Sequence, residues 1–217
     1  EPEDVKDLPL FDKVMHKLTL EDPNLHFKIN KESGEFLLSG MGELHLEVTA
    51  YRMQEAALKV KISKPIVIYR ETISHDYQGP PIMGKSPNKH NRLWVTLEKL
   101  PDEVIEAIKA GKISEMQTRD ERQKILAKQF GWKTEDARNV IAIEGTNILV
   151  NKIKGRQYVE EILDHVKSGF REAVYTSVLA KEPAYGLKVN LEDIMVHDDP
   201  VHRGPAQILP MTWRPIW

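Results

Sequence analysis

The sequence predicts an α+β chain built as two domains. Segments with an apolar period of two alternate with segments at the helical period of 3.6 along the whole length, with no internal repeats and no low-complexity tracts. The 217 residues suffice for one large domain or two modest ones. The segments up to Pro65 close one motif, and a second set begins near Ile66.

Residues 3–21 read as a helix with Val5, Leu8, Val14, Met15 and Leu18 on its apolar side, regular from about Pro9. Leu25, Phe27 and Ile29 alternate with polar residues as a strand. Lys31-Glu32-Ser33-Gly34 is turn chemistry, and Phe36–Ser39 returns as a second strand. Gly42 opens a helix to about Leu58, with Leu44, Val48 and Tyr51 on one face, and Lys59–Ser63 alternates again. Helix, strand, strand, helix, strand is a split β-α-β-β-α-β (ferredoxin-like) order lacking its first strand, which would end where the acidic Glu1-Pro2 begins. The expectation is a first domain over 1–66, cut at its N-terminus, and a second over 67–217.

In the second domain, Ile66–Ser74 reads as a strand, 75–91 as a loop, and Leu93, Val95 and Leu97 as a strand. Asp102 is placed to cap a short helix ending near Gly111; Arg119–Phe130 is helical and stopped by Gly131. Val140–Ile143 and Ile148–Val150 are short strands, Gly155–Lys181 a long amphipathic helix, and Leu187–Val196 a strand, giving a mixed α+β domain with a βαβ crossover. Met211–Trp217 shows no pattern.

Composition bounds function without assigning it. There is no cysteine, so disulfides and thiolate chemistry are excluded. The acidic start is no signal peptide, and no apolar run approaches the roughly 18 residues of a membrane span. Net charge is −2, so any nucleic-acid contact must use a local patch.

Three constellations stand out. Gly79-Pro80-Pro81-Ile82-Met83-Gly84-Lys85-Ser86 matches the phosphate-loop pattern by letter. Pro80 and Pro81 have no N–H to offer phosphate, however, and Pro87 pushes Ser86 out of helical geometry. The bland alternative is an exposed Pro/Gly loop. Lys85-Ser86-Pro87-Asn88-Lys89-His90-Asn91-Arg92 concentrates cations, amides and a His, as an RNA-contacting loop would, or a solvated surface. His197, Asp198, Asp199 and His202 carry metal-ligand side chains at short spacing, which leaves open a metal-dependent hydrolase, a plain turn, or a loop shown to a partner at a strand end. His45 could be a ligand but at helical spacing fits a surface or interdomain histidine, and Trp94 and Trp132 fit core or partly buried anchors.

Taken together, several segments resemble the elongation factor 2 family and its bacterial counterpart, elongation factor G. Ser39-Gly40-Met41-Gly42-Glu43-Leu44-His45-Leu46-Glu47-Val48 is similar to the family's third domain, and Lys64–Thr72 to the passage into its fourth. Ser86–Arg92, Gly131-Trp132, Asp136-Ala137-Arg138 and His197–Gln207 resemble the archaeal and eukaryotic fourth domain, and Gly204-Pro205-Ala206-Gln207 the archaeal form. The resemblance covers nearly the whole chain in order. It implies the third domain over 1–66 and most of the fourth over 67–217, the chain ending before the family's next helix. His202 matches the position converted to diphthamide. The fourth domain's tip enters the decoding site during translocation of tRNA and mRNA. The implied tip contacts are Lys85, Ser86, Pro87, Asn88, Lys89, His90, Asn91, Arg92, His197, Asp198, Asp199, Arg203, Gly204 and Gln207. The GTPase domain, with its GTP and Mg, lies elsewhere in the full-length factor, so no catalytic, nucleotide or metal site is implied here. Implied partners are the ribosome, its rRNA, the tRNA–mRNA pair, the diphthamide-synthesis enzymes and ADP-ribosylating toxins, for a cytoplasmic monomer with no membrane contact.

Overall fold

The computed structural model describes residues 2, 4–29, 36–56, 59–64 and 69–217. It divides the chain into two compact units, Glu1–Ile68 and Tyr69–Trp217, and its class is α+β.

In the first unit a 3-10 turn, Val5–Asp7, precedes α1 (Leu8–Glu21), with Pro9 in the first turn where no intrahelical N–H bond is lost. The predicted single helix over 3–21 is thus two pieces, and its buried side is Phe11, Met15 and Leu18, while Leu8 is exposed. Strands β1 (His26–Ile29) and β2 (Phe36–Ser39) pair antiparallel, and Phe11 packs edge-on against Phe27 and Phe36 at ring distances of 5.8 and 5.0 Å. Helix α2 (Glu43–Glu55) buries Thr49 and Met53. The expected stripe of Leu44, Val48 and Tyr51 shares a face, but that face points outward. The predicted strand over 59–63 is reduced to one antiparallel bridge, Val60 with Pro2. The predicted turn at 31–34, the helix end at 57–58 and residues 66–68 of the next predicted strand lie outside the described residues.

His45 has a structural task. Its Nδ1 accepts the Met41 N–H at 3.1 Å, so its Nε2 carries the proton and donates to Asp22 Oδ2 at 2.9 Å. The ring staples the end of α1 to the start of α2.

The second unit is one five-stranded sheet in the order β3-β4-β7-β6-β5. The strands are β3 (Ile82–Lys85), β4 (Arg92–Lys99), β5 (Val140–Glu144), β6 (Asn147–Asn151) and β7 (Leu187–Met195). All neighbours are antiparallel except β6 and β7, which are joined as the expected βαβ crossover through α6 (Val159–Tyr175). The helix predicted over 155–181 is shorter because Gly155 and Tyr158 hold left-handed backbones at φ 63° and 60° before its start. Beyond its end, the Glu71 carboxylate accepts backbone N–H groups of Leu179, Ala180 and Glu182, fixing the following segment as a loop. Among the described residues of the strand predicted up to Ser74, only Glu71 pairs, as a single bridge to Ala184.

Strand β3 falls in the segment expected to be loop. It is an edge strand, where Pro80 and Pro81 just ahead cost no ladder bond. On one sheet face Leu93, Val95, Leu149, Val189, Leu191 and Ile194 pack on α6 and on α7 (Pro205–Trp213), a helix the sequence pattern did not show. On the other, Val140, Ile148 and Val150 pack under α3 (Asp102–Lys109), α4 (Arg119–Phe130) and α5 (Thr134–Arg138). Pro101 is the N-cap of α3, with Asp102 the first helical residue. A bulge in β7 where β4 passes from Trp94 to Val95 explains why Leu191 and Ile194, three apart, reach the same core. Gly84 and Gly169 allow α7 its close approach: a Cβ on Gly84 would strike the Met211 carbonyl oxygen, and one on Gly169 would lie 2.8 Å from Thr212 Cβ.

The rest of the second face is polar. Lys188 donates to Glu98 at 2.9 Å and to Asp136 at 3.3 Å, with its ammonium 4.7 Å from the Trp132 ring centre. Asn190, fully buried, donates to Glu98 at 2.6 Å. Partial burial alone would raise the Glu98 carboxyl, but the hydrogen bond and charge of Lys188, the Asn190 amide and the Lys152 charge outweigh it and hold it below 4.5.

Packing and charge each lead to a measurable outcome. Gly84→Ala should cost about 1–3 kcal/mol by overpacking against α7, read from urea denaturation of the chain; an unchanged midpoint and slope would contradict the close approach. Because the folded Glu98 carboxyl sits below its unfolded value, its stabilising effect is present above pH 4.5 and fades as pH falls through the folded value. Glu98→Gln should therefore flatten the acid limb of the stability curve, and an unaltered limb would contradict the assignment.

Candidate functional site

The sheet register builds the site. Lys85 lies opposite Arg92, and Arg92 opposite Met195, so β3 ends, β4 begins and β7 ends at one end of the sheet. The loop 86–91 and the stretch 196–204, more than a hundred residues apart in sequence, emerge there side by side.

Each loop is folded by its own polar side chains. In the first, Lys89 N–H donates to Ser86 O at 2.8 Å, and Lys89 takes a left-handed backbone at φ 65°. Ser86 Oγ accepts the Asn91 N–H at 2.9 Å and donates to Asn88 Oδ1 at 2.6 Å. In the second, Asp199 Oδ1 accepts the Val201 N–H at 3.0 Å and caps a 3-10 turn, Pro200–Arg203, while the Asp199 N–H donates to His197 Nδ1 at 3.0 Å. Gly204 then caps α7, with Pro205 as its first residue.

The loops are tied to each other. Asn88 and Asn91 both donate their side-chain amides to the His202 carbonyl, at 2.9 and 2.8 Å. Asn91 Oδ1 accepts the His197 N–H at 2.9 Å, and Gln207 Oε1 accepts the Asn88 N–H at 2.9 Å. His90, His197 and His202 meet as a three-ring cluster with centroids 4.7 to 5.0 Å apart. Arg203 anchors the second loop from beneath: its guanidinium lies 4.1 Å from the Tyr158 ring centre and pairs with Glu161 at 2.7 Å.

Burial sorts the residues that sequence reasoning placed at the contact surface. Pro87, Lys89, His90, Asp198 and Asp199 are exposed; Lys85, Asn88, Arg92, His197, His202, Gly204 and Gln207 are half-buried. Ser86, Asn91 and Arg203 are 2%, 0% and 6% exposed and hold the loops together from within, so they are supports and not surface contacts. Among the described residues, Lys85, Lys89 and Arg92 enter no ion pair and gather at this end, beside the exposed carboxylates Asp198 and Asp199. The end therefore offers free positive charge beside aromatic nitrogen rings, a surface suited to phosphate and base contact.

Two alternative readings are overturned. The 79–86 motif is no phosphate loop, because Ile82–Lys85 is a strand, Ser86 is buried in the hairpin loop, and no helix begins at Lys85-Ser86. His197, Asp198, Asp199 and His202 are no ligand set: among the described residues no group of three or more such side chains is arranged to hold a metal, and His197 Nδ1 and Asp199 Oδ1 are committed to backbone N–H groups. Sequence reasoning missed the roles of Tyr158 and Glu161, whose only signal was an aromatic at the N-cap and an acid in the first turn of an amphipathic helix.

Since an amide N–H points at His197 Nδ1, neutral His197 should carry its proton on Nε2. A long-range proton–nitrogen NMR spectrum of the chain should show that tautomer; a protonated Nδ1 in the neutral ring would contradict the loop geometry.

Family models give the site its context. Elongation factor G, domain IV, matches residues 111–217, and Elongation Factor G, domain III, matches residues 1–64. Elongation factor 2 of Aeropyrum pernix is 47% identical over 219 residues, taking in 100% of this chain and 30% of that protein. The Methanopyrus kandleri protein of the same name is 42% identical over 218 residues, with 100% of this chain and 17% of that protein covered. That of Pyrococcus furiosus is 46% identical over 214 residues, at 97% and 29%. The chain thus spans less than a third of these relatives' length. The chain belongs to the elongation factor G and elongation factor 2 family, in the stretch that carries its domains III and IV.

Proposed function

We propose that this chain is the ribosome-engaging part of an archaeal-type elongation factor 2, with residues 1–66 as its third domain and 67–217 as its fourth. The paired-loop end acts as the tip that enters the decoding site while tRNA and mRNA move, and His202 is the position converted to diphthamide. The observation that carries this reading is the convergence of the loop holding Lys89 and His90 with the turn holding His202 at one end of a rigid sheet. The unpaired Lys85, Lys89 and Arg92 support contact with an RNA backbone despite a net charge of −2. His202 is half-buried, which leaves its ring open to a modifying enzyme and to an ADP-ribosylating toxin acting on the modified residue.

GTP hydrolysis and its Mg belong, in this reading, to the part of the full-length factor that lies outside this stretch. The role of the two units is mechanical: they transmit force generated elsewhere and present a thin, pre-ordered probe. Partners are the ribosome, its RNA and the tRNA–mRNA pair, reached by a cytoplasmic monomer. Among the described residues no helix is long and apolar enough to cross a membrane.

His202→Ala in the full-length factor should slow translocation on the order of tenfold, the effect of losing about 1.4 kcal/mol of transition-state contact. It should also abolish labelling by diphtheria-type toxin. Unaltered translocation, reading-frame maintenance and toxin labelling together would refute the assignment.

A further inference from the structure

No backbone ladder joins the two loops beyond Arg92 and Met195, so the three-ring cluster at their tips must be held by something else. The cross-loop bonds come from Asn88, Asn91 and Gln207. Of these side chains, Asn91 alone reaches the main chain at both His197 and His202. Its Oδ1 accepts the His197 N–H, and its Nδ2 donates to the His202 carbonyl and to Ser86 Oγ. The orientation of this amide is forced, since a backbone N–H must face oxygen and a carbonyl must face nitrogen. Asn91 is fully buried, where a hydrogen bond is stronger and a lost partner is not replaced by water. Its main chain also closes the hairpin loop, with Ser86 N–H donating to Asn91 O at 3.0 Å. His90, the remaining ring, is its immediate neighbour in sequence.

We propose that Asn91 is the positioning residue of the paired-loop end: one buried carboxamide holds the main chain at His197 and at His202 together, and so sets the three imidazoles against one another. Asn88 is an auxiliary. Its Oδ1 accepts the His90 N–H at 3.1 Å and its Nδ2 shares the His202 carbonyl, but it leaves His197 untouched and is half-buried. The family reading gives the cluster its use, with Asn91 presenting His202 in a fixed pose. The positioning itself does not depend on that reading, because it is tested on the unmodified chain without ribosome, toxin or modifying enzyme.

The test is imidazole NMR with amide hydrogen exchange on three variants. Asn91→Ala should erase the ring-to-ring Overhauser signals among His90, His197 and His202. It should also speed exchange of the His197 amide on the order of tenfold, with amides of the β4–β7 ladder unchanged. Asn91→Asp keeps an oxygen for the His197 N–H but sets another against the His202 carbonyl. In it the His197 amide should stay protected while the Overhauser signals to His202 disappear. Asn88→Ala, at a half-buried site, should keep all three ring-to-ring signals. Two results overturn the proposal: an intact set of ring-to-ring signals in either folded Asn91 variant, or the disappearance of those signals in Asn88→Ala. Should Asn91→Ala fail to fold, the other two variants decide.

Discussion

The antiparallel pairing of β4 with β7 is the constraint on which the second unit rests. It sets Arg92 beside Met195 and Lys99 beside Leu187, so one strand leaves the loop end as the other arrives there. Everything at that end inherits its position from this register. A shift by one residue would turn Leu93, Val95 and Leu97 out of the core and swing both loops off the end. The bulge in β7 lets Leu191 and Ile194 both face α6 and α7 while the chain still finishes beside Arg92. The close approach permitted by Gly84 and Gly169 then fastens α7, and with it the turn before it, against the same sheet.

Charge placement follows the same economy. Several cations of this unit are engaged with carboxylates on the body of the domain, as with Arg156 and Asp193 or Lys188 between Glu98 and Asp136. Lys85, Lys89 and Arg92 gain local weight because the register gathers them at one end of the sheet. Overall charge is therefore a poor guide to local nucleic-acid contact in this chain, and the placement of cations is a better one. The loops need no regular structure to be stiff, since buried Ser86, Asn91 and Arg203 satisfy them from inside.

The sequence made much of this legible, and its failures have physical causes. Arg119–Phe130 was readable to the residue because Thr118 forms a capping box with Glu121 and Gly131 closes the helix in a left-handed backbone. β7 and the crossover helix were readable from period, although two left-handed residues trimmed the start of that helix. β3 was hidden because an edge strand holding a glycine, with two prolines just ahead, carries no alternation. α7 was hidden because Pro205 and Pro210 mask a helix whose Ile208 and Met211 are wholly buried. The loop end was identifiable by composition and resemblance, but the division between Asn88 and Asn91, alike in kind and half-buried against fully buried, is a product of folding alone. The same holds for α2, whose apolar stripe was placed on one face while the core took the other.

The central claim is that both loops face RNA together at the decoding site. Val201, 81% exposed at the crest of the second loop, offers a site for a photo-crosslinking amino acid that disturbs no internal bond of the end. Placed there in the full-length factor and irradiated on translocating ribosomes, it should join decoding-site RNA or the tRNA–mRNA pair. The same probe at Met116, even more open to solvent and on the connection between α3 and α4, should not. Crosslinks from Met116 to that RNA with none from Val201 would contradict the account.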